Sequence, residues 1–171
     1  MGDNTYTVRI LGEKGVGKTS LLALLGSLAE RGGAGGAIPG GCLMRIGGAE
    51  LRLLETEYSD FYGGGDSPTA DMWYLAVGLD EGPMNLDIQL RGLGIPSFEA
   101  VFLNKCDAVD YDDDLIELCI IETRRCLDCA KVYNDDTVFI TGSVTDAAAG
   151  QKRAGVEAIE ELLRDISSHI R

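Results

Sequence analysis

The stretch Gly12-Glu13-Lys14-Gly15-Val16-Gly17-Lys18-Thr19 constrains this chain more than any other. It stands between an apolar run, residues 6–11, and a helix-periodic run, residues 19–31, so its context is strand, glycine turn, helix. The glycines let the backbone curl until successive N–H groups point inward, and the positive end of the following helix adds to the attraction for an anion. A loop of this pattern in this context holds a polyphosphate. Lys18 reaches the terminal phosphates, and the Thr19 hydroxyl is placed to coordinate a magnesium ion that bridges them. The candidate phosphate-binding positions are Glu13, Lys14, Gly15, Val16, Gly17, Lys18, Thr19 and Ser20, with Thr19 also a metal ligand.

The loop matters because the rest of the chain repels phosphate. Net charge is −13, so the averaged field opposes phosphate backbones and anionic lipid, and direct nucleic-acid binding is not expected. Any phosphate must be held by a local device. The 171 residues, 45% hydrophobic and 25% charged, suit one globular domain over 1–171. Five cysteines at irregular spacing fit a reducing compartment, and the chain reads as cytoplasmic. The longest greasy stretch, residues 21–29, is too short to span a bilayer, so no membrane partner is expected.

Further elements follow from periodicity and punctuation. Residues 31–48 hold eight glycines and Pro39, which predicts a mobile loop over most of that length. Two apolar runs, 42–46 and 51–55, flank Gly47-Gly48-Ala49-Glu50 as a hairpin with a four-residue turn. Residues 58–70 read as loop, 73–79 as a buried strand, 85–93 as a weak helix, 100–104 as a strand, 113–132 as a helix and 137–141 as a strand. The final helix is the clearest, with Val156, Ile159, Leu162, Leu163, Ile166 and Ile170 on one face. Strands alternating with helices imply a mostly parallel sheet covered on both faces, an α/β protein of three layers.

Asn104-Lys105-Cys106-Asp107 falls at the end of a strand, where open parallel sheets bind ligands. A carboxylate at Asp107 can accept from the ring N–H and the exocyclic amine of guanine, whereas adenine offers an unprotonated ring nitrogen there. Thr141-Gly142-Ser143-Val144 ends the last strand, and its backbone N–H groups can cap the base. Asn104, Lys105, Asp107, Ser143 and Val144 are therefore the candidate base-side residues.

Val101-Phe102-Leu103-Asn104-Lys105-Cys106-Asp107, with Asp80-Glu81-Gly82-Pro83-Met84 before it and Gly142-Ser143 after it, resembles the guanine-nucleotide domain of bacterial elongation factor Tu, in the translational GTPase family. The order and rough spacing of motifs match over nearly the whole chain. The resemblance implies a Ras-like P-loop NTPase fold with a mostly parallel six-stranded sheet and about five helices, binding GTP or GDP with magnesium. In the family, two barrels that help hold aminoacyl-tRNA follow this domain; the sequence carries neither, so ordinary tRNA delivery is not expected.

Measured against that family, three features differ. The first switch carries a threonine that reaches magnesium and the terminal phosphate, yet no threonine occurs between Thr19 and Thr56. The second switch reads Asp-x-x-Gly and then a water-positioning histidine or glutamine; Glu55-Thr56-Glu57-Tyr58 and Ser59 stand there instead. Glu55 keeps a carboxylate for the metal's outer shell, but the flexible glycine is gone. The resemblance thus implies slow GTP hydrolysis at most, or a nonhydrolysing nucleotide-binding or interaction module. Lys14, where the family has a nonbasic residue, reads either as an internal cation assisting Lys18 at the terminal phosphate or as a solvated lysine.

Two other clusters carry bland readings. Cys126 and Cys129 lack the second ligand pair of a zinc site and read as half-buried small residues on a helix. The acidic run from Asp107 to Glu117 lacks the calcium-loop pattern and reads as a charged helix start.

Overall fold

The central strand β1, Thr5–Leu11, turns Val8 and Ile10 to one face and Leu11 to the other, all fully or almost fully buried. A strand apolar on both faces needs cover above and below. The computed structural model, which describes residues 4–170, supplies it. After β1 come α1 (Lys18–Arg31), β2 (Gly35–Ile38), β3 (Gly41–Ile46), β4 (Ala49–Thr56), β5 (Met72–Gly78), α2 (Leu86–Leu90), β6 (Ala100–Asn104), α3 (Asp113–Ala130), β7 (Val138–Thr141), α4 (Val144–Ala148) and α5 (Glu157–Ser168). One sheet runs in the order β2-β3-β4-β1-β5-β6-β7. β1 pairs parallel with β4 and β5, and β5, β6 and β7 continue in parallel, while β2, β3 and β4 pair antiparallel.

Two cores flank the sheet. On one face Leu21, Leu22 and Leu25 of α1 and Ile159, Leu162 and Ile166 of α5 pack on Val8, Ile10, Leu51, Tyr74 and Phe102. On the other, Leu86 and Leu90 of α2 and Cys119 and Leu127 of α3 meet Leu11, Leu75, Val77, Val101 and Leu103. Every residue of β5 and β6 is buried, as the continuous apolar runs require. Of the expected α5 stripe Ile159, Leu162 and Ile166 are buried and Leu163 half-buried, while Val156 and Ile170 fall just outside the helix and are half-buried; Tyr74 Oη donates to Asp165 Oδ2 at 2.7 Å, tying α5 to the middle of the sheet. Asp112 caps α3, its Oδ1 accepting from the N–H groups of Asp114 and Leu115 at 3.0 Å each, which gives the acidic run a role at a helix start.

The sheet has seven strands rather than six. The added strand is β2, inside the glycine-rich stretch expected to be loop. Its residues have poor strand propensity, but pairing of Gly35 with Met44 and Ala37 with Cys42 provides the ladder, and that tertiary pairing decides. The hairpin also closes more tightly than expected. Ile46 faces Ala49, leaving a two-residue turn in which Gly47 and Gly48 both take positive φ, 59° and 88°. That is the turn whose twist matches the flanking strands, and it needs two residues free to enter the left-handed region. Residues Tyr58–Phe61 form a 3-10 turn where loop was expected, closed by a reciprocal cap between Glu57 and Asp60. Phe61 then rests on Trp73, ring centroids 5.9 Å apart.

Candidate functional site

The carboxyl ends of β1, β4, β5, β6 and β7 open on one edge of the sheet, and the loops leaving them bring the candidate residues together. The loop after β1 turns at Gly15 and Gly17, with φ 90° and 97°, and enters α1 at Lys18. Among the described residues the N–H groups of Gly15, Gly17, Lys18 and Thr19 donate to no protein acceptor. Gly12 must be glycine for a second reason: a Cβ there would lie 2.6 Å from the carbonyl oxygen of Ala76.

Lys18 is buried, and its Nζ donates to the carbonyls of Gly12 and Glu13, both at 2.7 Å. Burial lowers its pKa; the carboxylates of Glu57, Glu55, Glu13 and Asp60 act the other way. The ammonium is thus aimed at the loop, with no carboxylate bonded to it among the described residues. Thr19 Oγ1 donates to Glu55 Oε2 at 2.7 Å, so the two candidate metal-holding groups, from α1 and the end of β4, adjoin. Lys14 and Ser20 are exposed, and Val16 is buried beneath the loop.

On the base side Asn104 is buried and acts as a brace. Its Nδ2 donates to the Val16 carbonyl at 2.8 Å and its Oδ1 accepts from Val144 N–H at 3.0 Å, so both halves of the amide are spent inside the protein. Lys105 takes a left-handed φ of 68° and pairs with Asp80, Nζ to Oδ2 2.7 Å, both side chains about a third exposed. Asp107 differs: its Oδ1 is buried with no hydrogen-bond partner among the described residues. A buried acceptor without a donor is what a guanine edge would complete.

The expectation that Ser143 and Val144 offer free backbone N–H groups is not met. Ser143 N–H donates to the Ala154 carbonyl at 2.6 Å and Val144 N–H to Asn104, while Ser143 Oγ caps α4 by accepting from Asp146 N–H. The turn Lys152–Val156 folds back over the end of β7 and consumes the first of these donors. Sequence reasoning also missed a contact on the phosphate side, where Gln89 Nε2 of α2 donates to Glu13 Oε1. A cavity of about 170 Å³ beside it is lined by Glu13, Lys14, Tyr58, Met84 and Gln89. Burial, and secondarily Glu13, push the Tyr58 phenol's pKa up. The partners of the Gln89 contact are 76 residues apart, so nothing in local spacing marks it.

No family model matches the chain. Among solved structures it is similar to the crystal structure of sup35 complexed with GDP, at 17% identity and a TM-score of 0.56, over 84% of this chain and 38% of that one. The likeness joins the strand order and the phosphate loop in one conclusion: the fold is that of a Ras-like P-loop NTPase. The chain spans well under half the length of the structure it matches. Among the described residues no helix is long and apolar enough to cross a membrane.

Proposed function

We propose that residues 1–171 form a single guanine-nucleotide-binding domain of the translational GTPase class, taking GDP or GTP with magnesium. The observation that carries the reading is the buried Oδ1 of Asp107, without a partner among the described residues, on the same sheet edge as a phosphate loop whose Gly15, Gly17, Lys18 and Thr19 N–H groups are unspent among those residues. Asp107 reads the guanine edge, Lys105 and Asn104 shape the seat of the base, and Ser143 and Val144 hold that seat in place through α4 and Asn104. Glu13, Lys14, Gly15, Val16, Gly17, Lys18, Thr19 and Ser20 surround the phosphates, with Lys18 as their principal cation. Thr19 and Glu55 are the groups that would hold magnesium, whose charge offsets that of the phosphates. The free cysteines suit a reducing compartment such as the cytoplasm.

Hydrolysis is slow at most. Thr56, the next threonine after Thr19, is fully buried, and its Oγ1 accepts from Arg9 Nη1 at 3.0 Å, so it cannot serve the terminal phosphate. Tyr58 and Ser59 lie in the capped turn that replaces a flexible glycine. The same observations favour the second reading, a nonhydrolysing nucleotide-binding or interaction module, and single-turnover hydrolysis of GTP separates the two. For the binding itself, GDP with magnesium at about a hundredfold excess over its Kd should add roughly 2.7 kcal/mol and raise Tm by about 5–11 °C. No shift at millimolar GDP or GTP would end the nucleotide reading.

A further inference from the structure

The contact between Glu13 and Gln89 has no part in any role given above. Glu13 follows Gly12 in the phosphate loop, and its carbonyl takes the Lys18 ammonium at 2.7 Å. Its side chain is held by Gln89 of α2, a helix anchored in the core through buried Leu86 and Leu90. An ionised carboxylate can only accept, so the Gln89 amide must turn its NH₂ toward Glu13. That leaves Gln89 Oε1 buried with no hydrogen-bond partner among the described residues. A buried unpaired oxygen destabilises a fold, so this contact is a poor choice for stability alone. The same segment is fastened at its other end, where Asp80 pairs with Lys105 on the base side.

We propose that Gln89 is a positioning residue for the phosphate loop: it fixes Glu13, and through the Glu13 carbonyl it fixes the Lys18 ammonium that takes the phosphates. The proposal rests on the nucleotide reading above. It gives α2 the function of holding the loop in its binding shape from the side.

The test is release of a fluorescent GDP analogue from the full chain, with magnesium, alongside Tm without nucleotide. Gln89→Leu keeps the bulk and removes the orphaned oxygen. It should leave the nucleotide-free Tm unchanged or higher, yet speed release roughly tenfold, the scale of one charge-assisted hydrogen bond. A residue that mattered only for folding would give the opposite pattern, a lower Tm with unchanged release. Gln89→Glu sets two carboxylates face to face and should speed release at least as much. The exchanged pair, Glu13→Gln with Gln89→Glu, reverses donor and acceptor and should return release to within about threefold of the starting chain. Release within about twofold in both single variants, or failure of the exchanged pair to recover, would overturn the proposal. If the unaltered chain binds neither GDP nor GTP, the nucleotide reading falls and this proposal with it; binding with unaltered release in Gln89→Leu defeats the proposal alone.

Discussion

Asn104→Ala is the perturbation whose size the structure fixes best. The side chain is 5% exposed and makes two bonds of 2.8 and 3.0 Å, one to the Val16 carbonyl and one from Val144 N–H. Removing it strands a buried acceptor and a buried donor on two different segments. At about 1–3 kcal/mol for each unpaired group the loss is roughly 4 kcal/mol. For a chain of 171 residues that lowers Tm by roughly 8–16 °C, read by circular dichroism without nucleotide. Asn104→Asp should be no milder, since it faces the Val16 carbonyl with a second acceptor. The neighbouring residue is the control. Lys105→Ala breaks a partly exposed ion pair worth at most about 1 kcal/mol, so its Tm should fall by less than about 4 °C. Equal effects from the two substitutions, or a fall under about 2 °C for Asn104→Ala, would refute the view that Asn104 is a brace.

Three other substitutions address the nucleotide directly. Lys18→Ala should erase most of the Tm rise that GDP produces, because the buried ammonium is the loop's principal cation; a full rise in that variant would show that phosphate is held elsewhere. Asp107→Asn faces guanine with a donor where it needs an acceptor: competition between GDP and XDP should show guanine affinity falling roughly ten- to a few-hundredfold and xanthine affinity rising, and equal change for both would mean that Asp107 does not read the base. Glu55→Gln removes the anionic partner of Thr19, so the magnesium concentration needed for half-maximal GDP binding, followed by calorimetry, should rise about tenfold or more; an unchanged midpoint would remove Glu55 from the metal's surroundings.

The residues that sequence placed well are those whose signal is local. The phosphate loop is defined by eight consecutive residues between a strand and a helix, and β6 by five consecutive buried ones. The α5 stripe shows in its own periodicity. What escaped depends on partners far along the chain. β2 is a strand only because β3 pairs with it, and no property of Gly35-Gly36-Ala37-Ile38 alone says so. Asn104 was legible as a site residue, but its bracing role needs Val16 and Val144, 88 and 40 positions away. Ser143 and Val144 follow the last strand, which suggests that their N–H groups cap the base, but the return of residues 152–156 and the reach of Asn104 consume them. The Gln89 contact was invisible for the same reason.

The brace at Asn104 also joins segments that meet only through long-range pairing. Val16 lies between β1, whose strand partners are β4 and β5, and α1, which packs on β2 and β3, whereas Asn104 arrives only when β6 has paired with β5. Val144 arrives later still, after β7 has joined β6. Contacts between such distant segments must await costly loop closure, and parallel pairing is slow for that reason. One asparagine side chain links the final third of the polypeptide to the first twenty residues.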